Sequence, residues 1–311
     1  MPSLEARMVM WWMRWARLRR QRAAQRGSAA APVAALPSAS QLRRLCIRES
    51  TVGGQPLYRI TAAASAAAPA GRILYVHGGA YVRPINRHHW HFLAELAHRS
   101  GCEIVVPLYP LAPQHSGLSA FRCVASAYRQ EADGTLPLIL MGDSAGAGLA
   151  VALAGWLRDH GLPPPRRLLL LSPWLDLAVP HPQAAALQAV DPMLSLDGLR
   201  RAGRAYAGAL GVDHPLISPA HGDLRGLPPM SMYVGGRELL GPDALAYAER
   251  LRAAGGSVDV HHAPAMMHVW PLLDFPEARA ARARIAAQVR ATLGGTAHDA
   301  EPPTLGRPAA A

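Results

Sequence analysis

Apolar and polar positions change their spacing several times along the chain, and each spacing predicts a different element. Short apolar runs bounded by turn residues predict strands, whereas apolar positions every three or four residues predict helices. Strands are predicted at Ile47, 57–60, 72–76, 103–106, 136–141, 167–171, 230–234 and 257–261. Helices are predicted between or after them at 88–99, 118–131, 147–156, 243–254 and 276–293. This alternation indicates an α/β fold with a mostly parallel central sheet and helices on both faces.

Two stretches depart from the alternation within or after residues 46–293. Residues 172–227 contain a single predicted helix, at 196–210, and we interpret them as a helical cap above the carboxyl edge of the sheet, where ligands enter such folds. Residues 294–311 are rich in small residues and proline and are predicted to be disordered. The sequence thus predicts one large domain with a cap insertion and a short tail.

Residues 1–45 form a separate pattern. Five apolar residues recur at helical spacing among seven arginines between positions 4 and 26: Met8, Trp11, Trp12, Trp15 and Leu18. They predict an amphipathic helix, followed by an alanine- and proline-rich linker at 27–40. One interpretation packs this helix over the protein's own pocket as part of the cap, with its arginines in solvent. The other lays the aromatic face on an anionic membrane surface.

The distribution of charge restricts the classes of partner. All 32 basic residues are arginine, so a Schiff-base lysine and a Walker-type phosphate loop are excluded. The net charge of +11 is concentrated in residues 1–50, which carry +8, whereas residues 51–311 carry +3. A nucleic-acid-binding protein needs a basic face on its folded part and a recognisable motif, and the sequence shows neither.

Cysteine spacing and hydropathy predict the compartment. Cys46, Cys102 and Cys123 have no paired short spacing, which argues against a disulfide framework and against a zinc cluster. The apolar run from Met8 to Met13 spans six residues before Arg14, which is too short for a secretory signal or a membrane span. We therefore expect a cytoplasmic protein that uses neither a metal nor a cofactor.

A sharp turn after the 136–141 strand carries the first candidate for chemistry. The strand leads into the segment from Gly142 to Gly146, and an alanine-rich helix follows directly. A glycine two residues to either side of a serine lets neighbouring backbone pass close to a tight strand–helix turn that presents the hydroxyl. Ser144 is therefore the candidate nucleophile. The alternative is a glycine-rich loop that binds an anion at the start of the helix.

Candidates for a base and an acid lie downstream of this turn. A serine hydroxyl needs a base, and the base needs a carboxylate that orients it. His268 is the best candidate base because it lies in the loop after the last predicted strand. Glu238 closely follows the 230–234 strand and is the candidate acid. Asp243 is the alternative acid, although a carboxylate at a helix start also stabilises free backbone N–H groups there.

A pair of glycines follows the 72–76 strand, in the segment from His77 to Tyr81. Two glycines in this place allow backbone N–H groups to point at one spot, where the oxyanion of a tetrahedral intermediate is held. Gly78 and Gly79, with Ala145 beside the nucleophile, are the predicted donors. The alternative is an ordinary glycine turn.

Five segments in sequence order resemble motifs of the hormone-sensitive-lipase group of α/β-hydrolases: 77–81, 108–115, 142–146, 172–176 and 234–255. The likeness covers about residues 46–293. It implies an α/β-hydrolase fold in which the N-terminal helix and the 172–227 insertion form a cap over an acyl pocket. It also implies a triad and three oxyanion N–H donors: Ser144, Glu238, His268, Gly78, Gly79 and Ala145. Ala80 stands where many members have a third glycine.

The resemblance implies a serine hydrolase that cleaves small carboxylic esters of short or medium acyl chain through an acyl-enzyme. Lactone hydrolases and N- or O-deacetylases share the same features and stay alternatives. A non-catalytic small-molecule binding module of this fold and a membrane-surface protein are two further classes. The sequence leaves the oligomeric state open, with a homodimer as one option.

Overall fold

An eight-stranded sheet forms the centre of the protein in a computed structural model, which describes residues 1–25, 37, 43–63, 68–132 and 134–294. The strands are β1 (Leu45–Val52), β2 (Gln55–Ala62), β3 (Arg72–Val76), β4 (Glu103–Pro107), β5 (Leu138–Asp143), β6 (Arg167–Leu171), β7 (Met230–Gly235) and β8 (Val258–Ala263). They lie in the order β1-β2-β4-β3-β5-β6-β7-β8. Only β2 runs antiparallel to the other strands of this sheet, so the mostly parallel sheet is confirmed.

Helices cover the sheet on both sides. The α-helices in the described ranges are α1 (Leu4–Gln25), α2 (Arg87–Ser100), α3 (Gly117–Ala132), α4 (Ala145–Asp159), α5 (Gln183–Leu187), α6 (Leu196–Ala207), α7 (Gly241–Ala253) and α8 (Pro276–Gly294). Each of the five helices predicted between or after strands is present. Their ends shift by three residues at most, which is an ordinary uncertainty for helix boundaries.

Buried side chains fall into two clusters, one on each face of the sheet. Along β3, Leu74 and Val76 join the cluster beneath α3, α4 and α7, whereas Ile73 and Tyr75 join the cluster beneath α1, α2 and α8. This division follows from the geometry of a strand, in which successive side chains point to opposite faces. In the described ranges, helices and their buried side chains therefore cover both faces of the sheet.

The cap predicted at 172–227 contains α5 and α6 and connects β6 to β7. The helix predicted at 196–210 is α6, continued by a 3₁₀ turn over Gly208–Leu210. Tyr206 on α6 stacks on Tyr81, with ring centroids 3.6 Å apart. Because Tyr81 closes the glycine segment after β3, this contact joins α6 to that segment.

Helix α1 packs on the protein with a different face from the one its aromatic pattern suggested. Ala6 and Met10 are buried, and the backbone N–H and hydroxyl of Ser3 donate to Glu277 at the start of α8, at 2.6 and 2.8 Å. The tryptophans are exposed, so the aromatic side of α1 is not the side that packs on α8, and the predicted cap role of this helix stays a prediction. Both sides of α1 carry apolar residues, and the hydrogen bonds of Ser3 to Glu277 attach the side of Ala6 and Met10 to the body of the protein.

Two further expectations lie outside the described residues. The predicted linker at 27–40, apart from Pro37, and the predicted disordered tail at 294–311, apart from Gly294, belong to this part of the chain.

Candidate active site

Ser144 occupies the sharp turn between β5 and α4. Its backbone angles are φ 52° and ψ −119°, a combination that costs energy for a residue with a side chain. Hydrogen bonds on both sides hold the turn: the Ser144 N–H donates to the carbonyl of Leu171 at 2.8 Å, and its carbonyl accepts from the N–H of Trp174 at 3.1 Å. The hydroxyl is thus presented at the carboxyl edge of the sheet, as the strand–turn–helix pattern predicts.

The flanking glycines are required by close packing of backbone. A Cβ on Gly146 would lie 2.0 Å from the carbonyl oxygen of Val76 at the end of β3. A Cβ on Gly142 would lie 2.7 Å from the backbone of Gly146. The start of α4 can therefore pass beside β3 only because both positions lack a side chain.

The structure brings Ser144, His268 and Glu238 together, although they are far apart in the sequence. His268 Nε2 lies 2.9 Å from Ser144 Oγ, and His268 Nδ1 lies 2.5 Å from Glu238 Oε2. All three side chains are buried. The second oxygen of Glu238 accepts from the N–H of Gly235 at 2.6 Å, which fixes the carboxylate at the end of β7. With the ring proton on Nδ1, His268 leaves Nε2 free to accept the serine proton.

Asp243, the alternative acid, does not contact His268. It lies in the first turn of α7, where burial and the negative charge of Asp176 raise its pKa to about 6, against a smaller opposing effect of His181. Of the two carboxylates considered for the acid, only Glu238 reaches the imidazole.

The surroundings of His268 favour its charged form. Burial disfavours the imidazolium, but the hydrogen bond and the negative charge of Glu238, with smaller contributions from Asp191 and Asp143, outweigh burial and raise the pKa of His268 above its ordinary value of 6.5. A base must be neutral to accept a proton. Catalysis through Nε2 is therefore expected to fall away as the pH drops through this raised pKa.

Gly78 does not have the role predicted for it, because its backbone N–H is already occupied. It donates to Asp143 Oδ1 at 2.8 Å. A Cβ on Gly78 would lie 2.2 Å from the other carboxylate oxygen, so the glycine is needed to let the carboxylate approach. By contrast, the N–H groups of Gly79, Ala80 and Ala145 donate no hydrogen bond within the described residues.

Asp143 anchors the glycine segment to the nucleophile turn. Its side chain is buried and accepts from the hydroxyl of Tyr75 at 2.6 Å as well as from Gly78. Burial alone would raise the pKa of Asp143, but the charge and hydrogen bond of His89 and the donors Tyr75 and Gly78 together lower it. Asp143, the residue before Ser144, therefore ties the glycine segment to the turn after β5.

Asp191, in the cap, is a site residue that the sequence did not indicate. Its buried carboxylate accepts from the N–H of Leu239 at 2.9 Å through one oxygen, and from those of Met193 and Leu194 at 2.7 and 2.8 Å through the other. Leu239 directly follows Glu238, so Asp191 joins the cap to the loop that holds the acid. The Asp191-Pro192 pair is typical of a turn, but the neighbouring sequence does not indicate which part of the protein this turn contacts.

Comparison with known proteins identifies the fold and the family. A family model described as an alpha/beta hydrolase fold matches residues 73–272, well over half of the chain. The chain belongs to this family. It is 37% identical to an acetyl-hydrolase of Streptomyces hygroscopicus over 71% of this chain and 76% of that protein. It is 32% identical to an esterase of Acinetobacter venetianus over 82% of this chain and 88% of that protein.

Solved structures agree with this membership. A crystal structure of an esterase from the bacterial hormone-sensitive lipase (HSL) family matches with a TM-score of 0.79 at 29% identity, covering 94% of this chain and 100% of that one. The α/β-hydrolase fold and the resemblance to the hormone-sensitive-lipase group are thereby confirmed. The protein is a serine-type hydrolase of carboxylic esters, not a non-catalytic binding module.

The anchoring role of Asp143 can be tested by substitution. Asp143→Ala should lower kcat for p-nitrophenyl butyrate about tenfold to a hundredfold, because the glycine segment loses its acceptor and donors are left unpaired in the interior. Asp143→Asn keeps an acceptor oxygen and should retain most of the activity. The measurement is kcat and KM for both variants, with thermal unfolding as the control for folding. Full activity of the alanine variant would contradict the role.

The contribution of Asp191 can be read from the pH profile. Asp191→Asn removes a negative charge that raises the pKa of His268, so the acid limb of kcat/KM should move to lower pH. The Leu239 hydrogen bond is weakened too, and kcat should fall about threefold to tenfold. Asp197→Asn, which removes an exposed carboxylate from α6 in the same cap, is the matched control and should leave the profile unchanged. An acid limb that stays in place in Asp191→Asn would show that its charge does not reach His268.

Proposed function

We propose that the protein cleaves carboxylic esters of short or medium acyl chain through an acyl-enzyme on Ser144. The observation that supports this proposal is the buried line of contacts from Ser144 Oγ to His268 Nε2, at 2.9 Å, and from His268 Nδ1 to Glu238 Oε2, at 2.5 Å. A hydroxyl within hydrogen-bond reach of an imidazole, which is itself oriented by a carboxylate, is the arrangement that activates serine as a nucleophile.

In the first half of the reaction, Ser144 Oγ attacks the ester carbonyl while His268 Nε2 takes the hydroxyl proton. Glu238 keeps the other ring proton on Nδ1 and stabilises the imidazolium that forms. As the tetrahedral intermediate collapses, His268 gives its proton to the departing alkoxide, and the acyl group stays on Ser144. In the second half, water loses a proton to His268 and attacks the acyl carbonyl. As the bond from the acyl carbon to Oγ breaks and the carboxylic acid leaves, His268 returns the proton to Oγ, which regenerates Ser144.

The oxyanion donors proposed here are the N–H groups of Gly79, Ala80 and Ala145. All three lack another acceptor among the described residues. The positive φ angles of Gly79 and Ala80, 128° and 54°, turn the chain sharply. Successive N–H groups in such a turn can converge on one anion. Ala80 thereby takes the place that the sequence had given to Gly78.

Acetyl groups are the acyl class with the most direct support. The Streptomyces hygroscopicus relative, 37% identical, is an acetyl-hydrolase, so deacetylation of an O- or N-acetyl group is the second candidate activity. A lactone is an internal ester and could pass through the same steps. We further propose a cytoplasmic location, where the free thiols of Cys46, Cys102 and Cys123 would stay reduced.

A matched set of variants tests the assignment of nucleophile and acid. Ser144→Ala should reduce ester hydrolysis by at least about 10³-fold, and Glu238→Gln, which cannot stabilise an imidazolium, by about 10³- to 10⁴-fold. Asp243→Asn is the control, because that carboxylate does not reach His268, and it should stay close to wild type. Comparable losses in Asp243→Asn and Glu238→Gln would overturn the choice of acid.

The substrate class is tested with a panel. Wild type should hydrolyse p-nitrophenyl acetate and butyrate faster than the octanoate, with Ser144→Ala as the blank. A lactone and an acetylated amine in the same panel separate the alternatives, because the lactone keeps its alcohol attached to the acyl chain whereas the acetylated amine releases an amine. A wild-type rate equal to the Ser144→Ala blank on every substrate would refute the proposed function.

A further inference from the structure

The outward face of α1 carries an unusual concentration of exposed apolar side chains. Of the eight large apolar side chains that the described residues leave exposed, six lie in the first 15 residues. Five of them, each 45 to 72% exposed, lie along one side of the helix and form what we term the aromatic stripe: Leu4, Met8, Trp11, Trp12 and Trp15. Scattered exposed apolar residues are ordinary, but a contiguous patch of this kind indicates a surface that binds something.

Helix α1 presents the aromatic stripe in a fixed orientation. Its opposite face is held by the buried side chains of Ala6 and Met10, and its start is tied to α8 through Ser3. Farther along, the Arg17 guanidinium donates to the carbonyls of Asp191 and Leu194 in the cap, at 2.8 and 2.5 Å. The aromatic stripe therefore points away from the body of the protein.

The distribution of charge indicates which kind of partner binds the aromatic stripe. Residues 1–50 carry +8 and the rest of the chain only +3, and the exposed Arg7 and Arg14 flank the aromatic stripe on the helix. A second copy of the chain would bring two such basic segments together, and like charges in close contact repel. Anionic phospholipid headgroups attract them, and tryptophan rings favour the level of the headgroups.

We propose that the aromatic stripe of α1 and its flanking arginines bind the surface of an anionic phospholipid bilayer. No helix in the described ranges combines the length and apolar character that crossing a membrane requires, so α1 lies along the surface. Arg17 links this helix to Asp191, which in turn contacts the residue after Glu238, and the bound surface thus adjoins the cap. Binding of the aromatic stripe to a bilayer does not depend on the proposed function. Delivery of esters dissolved in the bilayer to Ser144 would rest on that function.

The test is flotation of the full chain with vesicles of phosphatidylcholine, with and without phosphatidylglycerol. Wild type should float with the anionic vesicles, float less with the neutral ones, and be released as salt is raised. Trp11→Gln combined with Trp12→Gln should weaken binding at least about tenfold. Arg7→Gln combined with Arg14→Gln should weaken it about thirtyfold. The matched control, Arg122→Gln with Arg284→Gln, removes the same charge from exposed sites outside α1 and should bind like wild type.

Three results would overturn the proposal: wild type remaining unbound to both kinds of vesicle at low salt, undiminished binding of the double tryptophan variant, or equal weakening by the control pair. If wild type binds neither kind of vesicle and sediments as a dimer, whereas the tryptophan variant sediments as a monomer, the aromatic stripe is an interface between two copies of the chain. Hydrolysis of a water-soluble ester is read in every sample and should stay within about twofold of wild type in all variants. Failure of that hydrolysis in wild type would count against the proposed function and not against bilayer binding.

Discussion

The buried hydrogen bond between Glu238 and His268 is the constraint on which the site depends. A carboxylate removed from water is stable only if its oxygens find donors, and separating one partner of such a buried pair costs about 3–5 kcal/mol. Glu238 uses one oxygen for His268 and the other for the N–H of Gly235. The imidazole is therefore held at one angle, and that angle directs Nε2 at the hydroxyl of Ser144.

Two other buried carboxylates extend the same principle to the walls of the site. Asp143 accepts from the N–H of Gly78 and so holds the glycine segment against the Ser144 turn. Asp191 accepts from the N–H of Leu239 and so joins the segment between β6 and β7 to the loop that carries Glu238. The Asp191 carboxylate accepts from three backbone N–H groups, whereas that of Asp143 accepts from one backbone N–H and the Tyr75 hydroxyl and contacts His89. The negative charges also raise the pKa of His268, so the interactions that position the base also favour its protonated form during the reaction.

What could be predicted from the sequence follows from the range of the interactions involved. Ser144 could be identified because its turn needs glycines two residues away on both sides, which is a local requirement. Glu238 and His268 could be identified because the order of the strands places the ends of β7 and β8 at the same edge of the sheet. Gly78 could not be assigned correctly, since the occupation of its N–H depends on Asp143, which is 65 residues distant. The side of α1 that packs on the protein could not be predicted either, because both sides carry apolar residues and the contact with α8 decides between them. The role of Asp191 could not be predicted, because its partner Leu239 lies in a loop that is distant in the sequence.

The most direct measurement of the central claim is covalent labelling by a fluorophosphonate, which reacts preferentially with a serine activated by a neighbouring base. Peptide mapping of labelled wild type should find a single adduct, on Ser144, and labelling should be slowed strongly in His268→Ala. An adduct on another residue, or equal labelling of wild type and His268→Ala, would contradict the account.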